Sequence, residues 1–119
     1  CRDMTAVDIS RRCVQFITGM RQKLIQDNGV SGSVQFNVHR EDALSFLQRC
    51  TPDSYDLIFA DPPYETNILS ALHHRIFSRE LLKSGGWFIF EHHITMKQEA
   101  AALHGWKETR KYGHVCFSI

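Results

Sequence analysis

The sequence predicts an α/β fold in which a mostly parallel β-sheet carries helices on both faces and ends in an antiparallel ribbon. Apolar segments of strand length alternate with segments of helical periodicity, an order typical of β-α-β units joined by right-handed crossovers. Two segments, 57–60 and 87–90, are apolar throughout, as expected for strands buried on both faces. The last segment, 106–119, alternates around Tyr112-Gly113 and predicts two antiparallel strands.

The individual elements follow from local patterns taken in chain order. Alternating or continuous apolar runs predict six strands, at 4–9, 34–39, 57–60, 87–90 and two within 106–119. Apolar residues at helical spacing predict four helices, at 11–27, 43–50, 67–82 and 95–104. Asn28-Gly29 ends the first helix, and Ser84-Gly85-Gly86 breaks the chain before the fourth strand.

Size and composition bound the class of protein. The 119 residues predict one domain over 1–119, and 43% hydrophobic with 23% charged residues is typical of a soluble globular protein. The net charge of +1 provides no strong field toward nucleic acid or membranes, and no apolar run approaches the ~20 residues of a membrane helix. The four cysteines form no C-x-x-C pair, which predicts a reduced, cytoplasmic protein. The pairs His73-His74 and His92-His93 lack ligand spacing, so no metal site is expected.

The stretch Asp61-Pro62-Pro63-Tyr64 is the most specific feature of the sequence. It directly follows the apolar run 57–60, and the two prolines end that strand because they have no N–H to donate and a fixed φ. Asp61 therefore lies at the carboxyl end of a central strand, where open α/β sheets bind their ligands. An acceptor, a stiff turn and a flat ring predict a site for a planar group that carries N–H.

Three other predicted strands also end in carboxylates: Asp8, Asp42 and Glu91. Because the carboxyl ends of parallel strands share one edge of a sheet, we expect these acids to face one crevice together with Asp61. Asp8 is placed to accept hydrogen bonds from ribose hydroxyls, and Asp42 from an exocyclic amine such as that of adenine. Taken alone, Asp42 is better explained as a helix N-cap.

Asp61-Pro62-Pro63-Tyr64 resembles the (Asp/Asn/Ser)-Pro-Pro-(Tyr/Phe) signature of S-adenosylmethionine-dependent amino-group methyltransferases. Further segments are similar in order and spacing to the RsmD-type 16S ribosomal RNA guanine-N2 methyltransferases, and the similarity covers nearly the whole chain. These segments are 6–10, 41–47, 55–64, 82–87 and 111–113.

The resemblance implies a Rossmann-like class I methyltransferase fold with S-adenosyl-L-methionine as cofactor. It implies that Asp8 with Ile9 binds the cofactor ribose and that Asp42 with Ala43 binds the adenine amino group. Asp61 completes the implied cofactor contacts.

The same resemblance makes Asp61, Pro62, Pro63 and Tyr64 the catalytic segment. Asp61 and the carbonyl of Pro62 would accept the two hydrogens of the target amine and so orient its nitrogen. Tyr64 would stack on the target base, which has to leave any base stack to be reached.

Glu91 and His92 follow at the same sheet edge and are predicted to contact the substrate. The resemblance implies that the substrate is ribosomal RNA, within a small-subunit ribonucleoprotein. Separately, a net charge near zero argues against tight binding to free duplex DNA. An adenine-N6 or cytosine-N4 DNA methyltransferase is an alternative, because it shares the four-residue signature. A non-catalytic, truncated interaction module is another. A dinucleotide dehydrogenase would explain Asp8 but not the segment 61–64.

The chain departs from the family in one respect, because it has no glycine-rich first motif to wrap the methionine part of the cofactor. In the family that motif follows a mid-sheet strand, between the strands that end at Asp8 and at Asp61. Its absence is expected to leave two strand edges unpaired. A longer N-terminus, a truncated remnant or a partner chain in the gap would each account for this, and the last predicts self-association through the unpaired edges.

Overall fold

The computed structural model describes residues 3–27, 35–64 and 66–119. The chain divides into two compact units, one ending at Phe46 and one beginning at Leu47. The order of elements is the alternation of strands and helices that the sequence predicts, with two consecutive strands at the end. A single domain over 1–119 stays a prediction.

The first unit is a two-stranded parallel sheet with one helix. It contains β1 (Asp3–Asp8), α1 (Arg11–Asp27) and β2 (Gln35–Arg40). The two strands pair in register from Asp3↔Gln35 to Asp8↔Arg40. The predicted helix end at 28–29 and the predicted strand start at residue 34 lie outside the described residues.

Local hydrogen bonds explain where α1 begins and how it is attached to the sheet. Ser10 Oγ accepts from the N–H of Cys13 at 3.4 Å, which is the N-cap arrangement that the sequence predicts. Farther along the helix, Arg21 Nη1 donates to the carbonyl of Phe36 in β2 at 3.2 Å. The helix therefore packs on the sheet through a polar anchor as well as through its half-buried apolar side chains.

The second unit is a four-stranded sheet with helices. Helix α2 (Ala43–Gln48) crosses the boundary between the units. The elements after it are β3 (Tyr55–Ala60), α3 (Thr66–Ser78), β4 (Leu82–His93), a 3₁₀ turn (Ile94–Met96), α4 (Lys97–Ala101), β5 (Thr109–Tyr112) and β6 (Val115–Ser118). The strand order is β3-β4-β6-β5. Strands β3 and β4 are parallel, whereas β6 is antiparallel to both of its neighbours.

The predicted chain break at 84–86 is wrong, because these residues lie within β4. Tyr55 pairs with Leu82 and Leu57 pairs with Trp87, so β4 places four residues, 83–86, opposite the single residue Asp56 of β3 and forms a bulge. Gly85 has a φ of 76°, and a Cβ on Gly86 would lie 2.9 Å from a backbone oxygen. The glycines thus permit a bulge rather than end a strand.

The third helix ends earlier than predicted, at Ser78 rather than at residue 82. Glu80, two residues beyond the last helical residue, adopts a left-handed φ of 50°, so the helix cannot continue through it. The N–H of Leu81 then bonds to the carbonyl of Ile76 at 3.1 Å, the pattern of a helix C-cap. Leu82 is consequently free to begin β4.

The core of the second unit lies on one face of β4. Phe88, Phe90 and His92 alternate along the strand and are each less than 9% exposed. Phe88 meets the rings of His73 and Phe77 from α3 at centroid distances of 6.2 and 6.4 Å. The opposite face is open, since Leu57 and Phe59 of β3 are 54% and 56% exposed, beside Trp87 at 46%.

The two sheets differ from the single sheet that the sequence predicts. Among the described residues, β1 pairs only with β2, and β3 pairs in a ladder only with β4. The observed pairing therefore agrees with the expected free edges, while self-association through them stays a prediction.

A buried hydrogen-bond network joins β4 to the C-terminal ribbon. His92 Nδ1 lies 2.9 Å from the carbonyl of His93, which can only accept, so Nδ1 donates this hydrogen bond, while Nε2 is hydrogen-bonded with Ser118 Oγ at 2.9 Å. Thr109 Oγ1 follows at 2.6 Å from Ser118 Oγ and accepts from Trp106 Nε1 at 3.0 Å. Within this network, the hydroxyls of Ser118 and Thr109 therefore each have two hydrogen-bond partners.

We expect Ser118→Ala to destabilise the protein by about 1–3 kcal/mol, because it leaves the buried Nε2 of His92 without a partner. The free energy of unfolding in urea measures this loss. Ser70→Ala is the matched control, since Ser70 is exposed on α3 and its replacement should cost nothing. Equal stability of the two variants would contradict a structural role for the network.

Candidate functional site

Asp61 follows the carboxyl end of β3, whereas Glu91 lies within β4, which continues to His93 instead of ending at Glu91 as the sequence predicts. Ala60 pairs with Phe90 in the last matched position of the parallel ladder. Asp61 and Glu91 each follow by one residue, and neighbouring strands are about 4.8 Å apart. Pro62 takes no part in the ladder, as the sequence predicts from its missing N–H. The structure thus brings two carboxylates to one edge.

Tyr64 extends from the turn after β3 to the end of β4. Its hydroxyl donates to Glu91 Oε1 at 3.2 Å, and its ring remains 53% exposed. Desolvation, the hydrogen bond to Glu91 and the negative charges of Glu91 and Asp61 raise the pKa of Tyr64 above its ordinary value of 10.0. The phenol therefore stays a hydrogen-bond donor, with an open aromatic face beside two acids.

The predicted substrate contact from His92 is wrong. His92 is 1% exposed and bonds to Ser118 on the core face. Successive side chains of a strand point to opposite faces, so Glu91 and His93 share the open face while His92 points inward. This alternation is the signal in the sequence that places His93, rather than His92, on the open face beside Glu91.

His93 is the residue of this edge that the sequence prediction missed. Its ring lies 5.8 Å from that of Tyr64 and 6.3 Å from that of His114, to which it is nearly parallel at 13°. Its Nδ1 accepts from the N–H of Thr95 at 3.4 Å, which caps the 3₁₀ turn and holds the ring in place. Tyr64, His93 and His114 form a row of three rings that begins beside Asp61.

The first unit holds the acids predicted to bind the cofactor. Asp8 Oδ1 accepts from the N–H of Ser10 at 2.6 Å, and Asp42 Oδ2 accepts from the N–H of Ser45 at 2.8 Å. The interpretation of Asp42 as a helix cap is therefore confirmed. Ile9 is 69% exposed beside Asp8, and Ala43, the first residue of α2, is exposed beside Asp42.

Both acids keep the capacity to accept from a ligand. An ionised carboxylate offers about four lone-pair sites, and the backbone hydrogen bonds that Asp8 and Asp42 accept from Ser10 and Ser45 each occupy one. Because β1 and β2 are parallel neighbours, the two acids follow the ends of adjacent strands. The predicted crevice that joins them to Asp61 spans the two units and stays a prediction.

Within residues 3–27, 35–64 and 66–119, no three His, Cys, Asp or Glu side chains are grouped so that they could hold a metal ion. None of the helices described is both long enough and apolar enough to cross a bilayer.

The element order, in which parallel strands alternate with helices before a C-terminal antiparallel ribbon, defines an α/β protein. The sequence model of a family described as "Conserved hypothetical protein 95" matches residues 1–119, and the chain belongs to this family. No curated protein matches the sequence.

Solved structures share the fold at low sequence identity. A candidate methyltransferase of Escherichia coli, yhhF, superimposes with a TM-score of 0.73 at 17% identity, over 99% of this chain and 61% of that protein. A candidate methylase of Haemophilus influenzae gives 0.72 at 17% identity, over 99% and 71%. A Streptococcus pyogenes protein of undescribed activity gives 0.68 at 19% identity, over 98% and 69%. This chain thus spans less than two thirds of the Escherichia coli protein.

We expect Glu91→Gln to lower the pKa of Tyr64 toward its ordinary value, because the substitution removes one of the negative charges that raise it. Tyrosine Cζ chemical shifts, followed by NMR from pH 8 to 12, measure this change. Tyr55 is an internal reference, since burial and its hydrogen bond with Cys50 raise its pKa to about 12 without Glu91. Glu99→Gln, at an exposed position of α4, should move neither residue. An unmoved Tyr64 in Glu91→Gln would show that the two side chains do not interact in solution.

Proposed function

We propose that the protein is an S-adenosyl-L-methionine-dependent methyltransferase that acts on the exocyclic amino group of a nucleobase, namely guanine N2 in small-subunit ribosomal RNA. The observation that carries this proposal is the segment 61–64 at the carboxyl end of β3, with Tyr64 bonded to Glu91. Membership of the family and the methyltransferase-type fold support it. A cytoplasmic location and a ribonucleoprotein partner are parts of the same proposal.

The residues of the second unit suit the chemistry of an aromatic amine. Such an amine is a poor nucleophile, because its lone pair is delocalised into the ring. The carboxylate of Asp61 and the carbonyl of Pro62 accept its two hydrogens, so the nitrogen is held with its lone pair directed away from both acceptors. Asp61 then accepts the proton that the nitrogen releases once it has been methylated.

Tyr64 supplies a platform for the base. Its exposed ring can stack on a purine that has left its own helix, and base–aromatic stacking contributes about 1–3 kcal/mol. The hydrogen bond to Glu91 fixes the direction of the ring, and the two prolines before it limit the movement of its backbone. The platform is therefore ordered before the base arrives.

The residues of the first unit fit the nucleoside part of the cofactor. Asp8 and Asp42 are carboxylates with lone pairs to spare, the acceptors that ribose hydroxyls and an adenine amine require. When bound, S-adenosylmethionine supplies a methyl group activated by a positively charged sulfur. The sequence has no glycine-rich segment to hold the methionine portion.

Cofactor binding tests the proposal first. We expect the full-length natural protein, where it is longer than this chain, to bind S-adenosylmethionine in a calorimetric titration. The 119-residue chain should bind less tightly, because it lacks the segment that wraps the methionine. No binding by the full-length form would exclude the proposed enzyme.

Methyl transfer tests the role of Asp61. We expect Asp61→Ala to lower the rate of transfer to small-subunit RNA by at least about 100-fold, as loss of one charge-positioning group does in other enzymes, with cofactor affinity largely retained. Transfer of a tritiated methyl group measures the rate. Asp56→Asn is the matched control, because Asp56 lies at the other end of β3 and pairs with Lys83 at 2.9 Å. An unchanged rate in Asp61→Ala would remove its proposed role.

A further inference from the structure

Glu91 is a second carboxylate beside the proposed amine site that the mechanism above does not use. It stands one residue beyond the Ala60↔Phe90 pair, level with Asp61 on the neighbouring parallel strand. Alternation places it on the open face of β4, and its Oε1 accepts from the Tyr64 hydroxyl at 3.2 Å. Of the described Lys and Arg side chains, none forms a salt bridge with it. Its negative charge is thus available to a donor on a ligand.

The three bases that carry an exocyclic amine differ at the ring nitrogen next to it. In guanine the 2-amino group lies between the bare acceptor N3 and N1–H, a donor. In adenine the ring nitrogen beside the 6-amino group is N1, and in cytosine the one beside the 4-amino group is N3; both are bare acceptors. A carboxylate on the N1 side of the amine therefore attracts guanine, whereas adenine and cytosine offer it no ring N–H next to their amine.

We infer that Glu91 is the specificity-determining residue of this site and selects guanine by accepting a hydrogen bond from its N1–H. Asp61 and the carbonyl of Pro62 take the amine hydrogens, and Glu91 takes the adjoining ring hydrogen. This inference rests on the proposed function and identifies the base through the chain's own side chains. It separates guanine-N2 transfer from adenine-N6 and cytosine-N4 transfer, which the four-residue signature alone does not.

Tyr64 prepares Glu91 for this role. By donating to Oε1 it fixes the carboxylate and leaves Oε2 for the base. Its phenol carries the proton of this hydrogen bond, so Glu91 is the acceptor and Tyr64 the donor. One side chain consequently provides both the stacking ring and the support for the group that reads the base edge.

Two base analogues test the inference in the full-length natural protein. 2-Aminopurine and 2,6-diaminopurine keep the 2-amino group of guanine, but each has a bare acceptor at N1, and they differ from each other at C6. We expect kcat/KM for an RNA with guanine at the target position to exceed that for either analogue by about 10-fold to 100-fold. Both analogues lack N1–H and the O6 carbonyl of guanine, so a shared loss assigns the effect to this edge of the base, and the variant Glu91→Gln then tests whether N1–H is the group that is read.

Glu91→Gln provides the second arm. The glutamine carbonyl can still accept from Tyr64, while its amide N–H₂ can donate to a bare N1, so we expect the preference for guanine to fall to about 1 or to reverse. Tyr64→Phe should lower kcat/KM for guanine and both analogues but keep guanine ahead. Glu99→Gln should change neither value. A merely structural role of Glu91 would lower all rates together and leave the preference intact.

The outcomes separate the two proposals. Equal transfer to guanine and to both analogues by the unaltered protein would overturn the role of Glu91 while methyl transfer itself stands, as would transfer to adenine or cytosine at that position. An unchanged preference in Glu91→Gln would do the same. Absence of transfer to any RNA would overturn the proposed function and the inference with it. The analogue comparison needs no variant, so a folding defect in Glu91→Gln does not remove the test.

Discussion

The parallel pairing of β3 with β4 is the constraint on which the candidate site depends. Its register decides which residues of β4 reach the edge beside Asp61. The bulge at Gly85 and Gly86 sets this register, because it takes up the residues of β4 that have no partner on β3. A shift of one residue would turn Glu91 toward the core and His92 toward the open face. The glycines at one end of the strand thus determine the chemistry at the other end.

The core and the site are two faces of the same strand. His92 is polar and yet 1% exposed, and it is tolerated there because Ser118 and a backbone carbonyl satisfy both ring nitrogens. The same network attaches β4 to β6, which stabilises the end of the strand that carries Glu91 and His93. A buried polar residue therefore serves the position of its exposed neighbours.

Most of the fold was predictable because local patterns agree with the tertiary structure. The 17 residues of α1 and the strand before Asp61 lie where periodicity and the two prolines place them. The bulge was not predictable in this way, since a serine and two glycines indicate a turn and only pairing with β3 makes them part of a strand. The left-handed residue that ends α3 is a glutamate, which gives no sequence signal for that conformation.

The site was predictable to the extent that it depends on strand ends. Asp61, Tyr64 and Glu91 follow from the position of apolar runs, and the structure brings them together. The choice between His92 and His93 depends on alternation along β4, which the adjacent histidines obscured. The relation of Asp8 and Asp42 to this edge stays a prediction, because both acids belong to the other compact unit.

The negative charge of the candidate site suits the proposed methyl transfer better than it suits contact with a nucleic acid backbone. In transfer from a sulfonium to an amine, positive charge moves onto the nitrogen, and two neighbouring carboxylates stabilise that charge where it develops. The same carboxylates repel the phosphates of a nucleic acid backbone. Under the proposed function, a nucleotide would enter with its base forward and its phosphate held away, which is the geometry of an extruded base rather than of a base within a duplex. Phosphate contacts would then come from other surfaces, and affinity for the polymer and choice of the base would be carried by different residues.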